Sequence, residues 1–372
     1  MKVARLVELA KPLVVGEADK PTPGPRDVLV KVAACGLVPN TWNLVSGKAP
    51  PGTVFPDLPS VYGLDAAGTV DQVGSQVSNL KLGDRVYVNP HLTCETCHHC
   101  RRGRRDLCPA GCLRAYFAFT EEGKARLAHY PIGGLSEYLL SPDTKLAVLP
   151  PSIDFATAAH FGYVGTSFSA LKKGGVRPGS TVLINGVTGT LGVAAVAIAL
   201  GFGAVTILGV GRNRDRLKEV EQLSPQKGRI ITRSSEDEGT IADWVKEHTN
   251  GLGVDCVYDC LGVGGDANST AAMVKGALKV GGRAVLAAGG AEGSIEQSYY
   301  EIMMGDKAVV GSAWFSDAEA DELVALVGAG VIDLSFLQHR QYKLEDVNEA
   351  FEVVGDRPGG MVNVVVRPDG EV

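Results

Sequence analysis

Basic charge is in short supply in this chain. Its 36 Lys and Arg stand against 42 Asp and Glu, a net charge of −6. That leaves no basis for the broad positive surface that a nucleic-acid partner needs. The opening residues, Met1-Lys2-Val3-Ala4-Arg5, lead into alternating residues and lack the apolar core and cleavage site of a signal peptide. A cytoplasmic protein is therefore expected. Internal repeats and low-complexity segments are missing too. Charge vanishes altogether from Gly186 to Gly211, a run long enough to cross a bilayer. Seven Gly interrupt it, however, and Gly201 and Gly203 break any single helix. A strand–helix–strand unit buried on both faces has the same hydropathy, so no membrane partner is expected.

What is present reads as two globular parts. At 372 residues, 45% apolar and 21% charged, the chain exceeds one ordinary core and suffices for two packed domains. Its 47 Gly suit an α/β protein, whose turns and phosphate loops need positive φ or close backbone approach. Strand residues at 28–33 and turns at Gly24-Pro25, Pro50-Pro51-Gly52 and Gly83-Asp84 make the first part β-rich. Residues 68–75 and 82–88 look like short strands of a compact barrel, and Pro150-Pro151 then punctuates the chain. Beyond it strands at 181–185, 204–210, 254–259 and 283–288 alternate with helices at 190–202 and 270–279. That succession predicts a doubly wound parallel sheet. From about residue 306 the pattern turns mixed, with a helix at 318–327 and a closing strand at 362–366.

Four of the eight Cys fall in one short segment, as Cys94-x2-Cys97-x2-Cys100-x7-Cys108. In a reducing compartment clustered thiols more often bind metal than pair. Four thiolates can surround one Zn²⁺ tetrahedrally and leave no open position, which makes a structural site rather than a catalytic one. Arg101, Arg102, Arg104 and Arg105 stand among the ligands and suit the negative charge of such a centre. Disulfides, free thiols and an iron–sulfur cluster are the competing readings. His98, His99 and Cys112 are competing ligands, and the all-Cys set is the simpler choice.

Gly186-x2-Gly189-x2-Gly192 follows the strand at 181–185 and opens a helix. Glycines there let the backbone approach a pyrophosphate, and the helix N-terminus offers free N–H groups and a positive dipole end. Thr188, Thr190 and Leu191 belong to the same turn; Gly211 and Gly289 follow later strands. All are candidate cofactor contacts. An NAD site places an acid just beyond the next strand, to hold the ribose 2′-OH. Here the residues are Gly211-Arg212-Asn213-Arg214, and the first acid is Asp215. A guanidinium welcomes a 2′-phosphate. NADP(H) is predicted, with Arg212 as the main contact assisted by Asn213 and Arg214. The competing reading leaves Arg212 solvated and NAD(H) also accepted.

These features together resemble the medium-chain dehydrogenase/reductase superfamily over nearly the whole chain. The four-Cys spacing matches its structural-zinc lobe. Gly63-Leu64-Asp65-Ala66-Ala67-Gly68-Thr69-Val70, Leu82-Gly83-Asp84-Arg85-Val86 and Gly133-Gly134-Leu135-Ser136-Glu137-Tyr138 resemble further family segments. The resemblance implies an α/β fold in which a Rossmann domain, 153–305, sits beside a β-rich GroES-like barrel catalytic domain. That barrel takes in 1–152 and 306–372, with the zinc lobe at about 94–112. It also implies a small-molecule substrate bound in the cleft and a homodimer or homotetramer. An edge strand near 309–312 can pair between subunits.

The departures from the family carry the mechanism. Zinc alcohol dehydrogenases of this family hold a catalytic zinc with Cys, His and Cys. By alignment the first two fall on Val38 and Leu64 and the third near Gly162, and none of these can ligate through its side chain. Asp65, His91 and His160 are the residues able to build a substitute site. Gly36 to Gly47 is also similar to a segment of the family's zinc-free quinone and enoyl reductases. The family's hydroxyl relay position is Asn40, and Met361 stands where a Lys or Arg often follows Gly near the C-terminus. Without a metal to polarise a carbonyl, a conjugated C=C or an iminium is the more natural hydride acceptor. Hydrogen-bond donors can hold the charge that develops on an enolate oxygen. The expected reaction is NADPH-dependent reduction of an activated double bond. Zinc-independent carbonyl reduction or alcohol oxidation is the alternative, and a non-catalytic NADP(H)-binding sensor or scaffold is the alternative of another class. Candidate catalytic donors are Tyr62 and Tyr163, followed by Thr41 and His91.

Overall fold

The computed structural model describes residues 1–48, 53–262, 264–288 and 291–370. Six strands form one parallel sheet in the order Ile230–Ser234, Thr206–Gly211, Thr181–Asn185, Val254–Asp259, Leu278–Leu286, Ala308–Gly311. The two middle strands, Thr181–Asn185 and Val254–Asp259, lie where the winding direction reverses, so a ligand crevice opens beyond their carboxyl ends. The charge-free run is explained by burial on both faces. Strand Thr206–Gly211 is covered, and helix Thr190–Gly201 is buried from Gly192 to Ala199. Among the described residues no helix is long and apolar enough to cross a membrane.

The second sheet joins both ends of the chain. Its order is Leu146–Val148, Arg85–Val88, Asp65–Val73, Asp27–Leu37, Val362–Arg367, Gln338–Lys343, and Tyr138–Pro142 also pairs with Asp27–Leu37. Asp27–Leu37 is the axis of this barrel. Nine of its eleven residues are buried, because neighbours flank it and side chains pack on both faces. The chain is thus α/β, a Rossmann sheet beside a GroES-like barrel.

Two details differ from the sequence reading. Ala308–Gly311 is the sixth strand of the parallel sheet, so that sheet continues past the border expected at 305. The strand has only four residues, lies at the sheet edge and is half-exposed, so it lacks the long apolar run of an inner strand. The strand Ile230–Ser234 and the helix Phe161–Lys173 were not expected. The first carries Thr, Arg and Ser on an outer edge; the second is buried along most of its length and shows no amphipathic stripe.

Candidate functional site

The Cys-rich lobe is a tight excursion from the barrel. The Sγ atoms of Cys94, Cys97, Cys100 and Cys108 all lie within 4.8 Å of one another. Cys94 and Cys100 Sγ are 3.9 Å apart, close to the edge of about 3.8 Å that a tetrahedron with Zn–S near 2.3 Å requires. Gly103, at φ +75°, turns the chain between the last two ligands. Backbone N–H groups of Cys94 and Cys97 donate to Cys108 Sγ at 3.3 Å and Cys94 Sγ at 3.2 Å. Such donors offset thiolate charge, so the donor set fits a structural zinc. The arginines are largely committed elsewhere: Arg104 pairs with Asp106 at 2.9 Å and Arg105 with Glu95 at 2.5 Å.

His91 belongs to this lobe rather than to the cleft donors. It pairs with Leu113 in a small sheet, packs against Phe119, and its Nε2 faces Gly111 beside the Cys108 carbonyl. Burial, then the Lys145 charge, holds its pKa down to about 3. The structure therefore corrects its expected catalytic role: a short strand pair carries it under the metal lobe.

The glycine turn is shaped for close approach. Gly186 has φ +92°. A Cβ at Gly192 would stand 2.4 Å from the Gly186 carbonyl oxygen, so the helix packs directly on its own turn. Gly189 caps helix Thr190–Gly201 with no side-chain bond and no acid in the first turn. The N–H groups of Thr190, Leu191 and Gly192 therefore point out from a helix start with no preceding backbone acceptor. Thr188 lies against Gly211, and its carbonyl accepts from Gly360 N–H at 3.0 Å. Gly289 lies outside the described residues.

Of the three residues expected at the 2′-phosphate, one keeps its side chain available. Asn213 Oδ1 caps the next helix by accepting from Asp215 and Arg216 N–H at 3.0 and 3.1 Å. Arg214 pairs with Asp237 at 2.6 Å. Arg212 is exposed. The sequence reading missed Arg216, which lines a small recess with Thr188, Gly359 and Met361. It supplies a guanidinium beside the turn where Met361 offers no charge.

The three positions that the resemblance aligns with catalytic-zinc ligands stand at element starts. Val38 leads into helix Pro39–Val45, Leu64 precedes strand Asp65–Val73, and Gly162 lies in the first turn of helix Phe161–Lys173. A Cβ at Gly162 would stand 2.3 Å from both Asp65 carboxyl oxygens, so this carboxyl fills the space beside it. Asp65 is 1% exposed and accepts from the Tyr87 hydroxyl at 2.9 Å. Burial pushes its pKa up to about 7, against the opposing pull of Tyr87 and the Gly162 N–H. Asp65 is thus a pocketed acid. Among the described residues the one group of three or more Cys, His, Asp or Glu gathered for a metal is the four-Cys set.

Hydroxyls collect near Asp65. Thr41, Tyr62 and Tyr116 are buried, and their hydroxyls find no hydrogen-bond partner outside this trio. Thr41 and Tyr62 both lie close enough to Tyr116 to act on its ionisation. Burial raises both phenols above their ordinary range, so they remain donors. Tyr163 instead donates to Asn363 Oδ1 at 3.0 Å. Tyr116 escaped the sequence reading because the turn that follows strand Cys112–Leu113 carries no motif.

Comparison with known proteins agrees with this architecture. Residues 24–151 match the alcohol dehydrogenase GroES-like domain, and residues 190–329 match the zinc-binding dehydrogenase family. An alcohol dehydrogenase of Geobacillus stearothermophilus is 31% identical over 255 residues, 68% of this chain and 68% of its own length. A sorbitol dehydrogenase of Bacillus subtilis is 26% identical over 345 residues, covering 92% of this chain and 90% of its own. The solved structure of a zinc-binding dehydrogenase from Sinorhizobium meliloti 1021, bound to NADP, matches 99% of each chain with TM-score 0.80 and 25% identity. The chain belongs to the medium-chain dehydrogenase/reductase superfamily. Within it, this is an oxidoreductase of the alcohol and polyol dehydrogenase type.

Proposed function

We propose that the protein is an NADPH-dependent reductase of activated double bonds, enones, enals or iminium ions, working without a catalytic zinc. One observation carries the reading. Val38, Leu64 and the neighbourhood of Gly162 stand where the family's ligands would be, with Asp65 against Gly162, while the buried hydroxyls of Thr41, Tyr62 and Tyr116 have no partner outside their own trio. Buried donors of this kind are fitted to an oxygen that gains charge during reaction. The turn from Gly186 to Gly192 would hold the pyrophosphate, and Arg212, with Arg216 nearby, the phosphates. When bound, the nicotinamide supplies a hydride. The hydroxyls then orient the acceptor and hold its oxygen. Cys94, Cys97, Cys100 and Cys108 would hold one structural zinc, which suits a reducing, cytoplasmic setting. Exposed Tyr299, Tyr300, Met303 and Met304 beside the edge strand Ala308–Gly311 favour a homodimer or homotetramer.

The relatives' names favour carbonyl reduction or alcohol oxidation as a second reading. A panel of enones, imines, ketones and aldehydes, followed by NADPH absorbance, separates the two. Turnover of simple carbonyls alone overturns the proposal. NADPH binding without turnover of any acceptor points to a sensor.

A further inference from the structure

A second polar cluster adjoins the cleft and takes no part in the chemistry above. His160 precedes helix Phe161–Lys173 and is fully buried, yet neither ring nitrogen has a partner. It lies against Gly36, two residues before Val38, so it borders the lost-metal positions. The His339 ring stacks on it, centroids 6.0 Å apart and planes at 14°. Tyr163 packs on it at 5.6 Å. His339 and Asn363 are cross-strand partners, and Asn363 accepts from Tyr163. Outward, His339 Nε2 and Thr157 Oγ1 are 3.2 Å apart, and Thr157 donates to Asp154 Oδ2 at 2.7 Å. Asp154 is exposed to solvent.

The cluster holds four unpaired buried nitrogens: both on His160, Nδ1 of His339 and Nδ2 of Asn363. Each carries a desolvation cost unless a hydrogen bond meets it. Ordered water is the usual answer in a polar site. Burial keeps His160 neutral, its pKa down to about 3, and lowers His339 as well. A neutral imidazole has one donor and one acceptor nitrogen. It can take a proton on one side and release one on the other without ever becoming a buried cation.

We propose that Asp154, Thr157, His339 and His160 form a proton route from solvent to Tyr163 at the cleft, in place of the relay that Asn40 interrupts. The proposal rests on the reductase reading. Reduction of an enone or enal needs one hydride and one proton, whereas an iminium needs the hydride alone. The hydride's electron pair forms the new C–H bond, and the π pair of the acceptor moves onto its far atom. That atom takes the proton of the Tyr163 hydroxyl. With the Asn363 amide turned over, Nδ2 donates to the phenol oxygen and frees this proton to point inward; amide orientation is set by such networks. Because the His160 nitrogens meet no protein partner, ordered water bridges His160 to Tyr163 and His339 to His160, and solvent re-protonates His339 through Thr157. Charge balances at every stage.

The route has a test that needs no acceptor. In the protein without cofactor, ¹H–¹⁵N NMR of the imidazoles reads how fast the His160 ring proton exchanges with solvent. His339→Phe and, separately, Thr157→Val should each slow that exchange about tenfold; unchanged exchange in both overturns the route. In turnover, His339→Phe should lower kcat about tenfold and raise the solvent isotope effect with KM for NADPH unchanged, a modest share of what general acid–base catalysis supplies. Added imidazole should restore part of the rate to His339→Ala. Slowed exchange in a protein that reduces nothing keeps the route and rejects the reductase reading. Turnover with an unaltered isotope effect in the variants rejects the route alone.

Discussion

Arg212 and Asp65 show how far single residues could be read in advance. The guanidinium was legible because the end of strand Thr206–Gly211 is a fixed place in a Rossmann unit, whereas the commitments of Asn213 and Arg214 depend on a helix cap and a partner 23 residues on. Arg212→Asp should reverse or erase the preference for NADPH. Losing a charged hydrogen bond costs about 1.5–3 kcal/mol, so the Kd ratio for NADPH against NADH should shift roughly 10- to 150-fold. Equal Kd values in the parent protein would refute the assignment. Asp65 lay in a recognisable segment, but its raised pKa arises from burial, opposed by Tyr87 and Gly162, and only the folded chain supplies that burial. Its folded pKa, about 7, exceeds the ordinary value of 3.8. Its contribution to stability is therefore full below about pH 4 and is lost as pH rises through about 7. Asp65→Asn should remove this decline, so parent and variant Tm curves from pH 4 to 9 should diverge upward in pH. Parallel curves would show that the carboxyl is not held neutral.

At the scale of elements, the glycine turn and the Cys lobe were legible because local chain geometry builds each from one contiguous segment. The hydroxyl cluster was not. Thr41, Tyr62 and Tyr116 come from a helix, a loop before a strand and a turn near the lobe, and the proton route adds two C-terminal strands. Two variants test the local elements. A Cβ at Gly360 would stand 2.3 Å from the Gly189 carbonyl oxygen, a backbone atom with little room to retreat. Gly360→Ala should cost about 1–3 kcal/mol and weaken NADPH binding, read by calorimetry beside the melting curve. In the lobe, about one zinc per chain is expected, and Cys108→Ser should lower zinc content and Tm together. Elemental analysis giving two zinc ions per chain, with anomalous scattering placing one in the cleft, would overturn the metal-free cleft.

Over the whole molecule, a buried clasp ties the N-terminal part of the barrel to helix Asp317–Gly328, which follows the sixth strand of the parallel sheet. Asp317, at the start of helix Asp317–Gly328, accepts from Lys145 Nζ at 2.8 Å and from Asn89 at 2.9 Å. Asn89 in turn accepts from Trp314 at 3.1 Å. Lys145 is 3% exposed, so Asp317→Asn leaves this buried cation with only the longer contacts to Glu95 at 3.7 Å and Thr93 at 3.4 Å. The loss should approach 3 kcal/mol, visible in chemical denaturation; a change below 0.5 kcal/mol, the range of ordinary surface substitutions, would mean that the charge finds another partner. No sequence pattern announced this clasp, because its members are spread over more than 200 positions and none belongs to a motif.

On the metal-free reading proposed above, the carboxyl beside Gly162 also makes a zinc site hard to build here. Any side chain added at Gly162 enters the space that Asp65 occupies, so Gly162→Cys alone yields a steric conflict, not a ligand. A catalytic zinc would need that carboxyl to move and donors to stand at Val38 and Leu64 together.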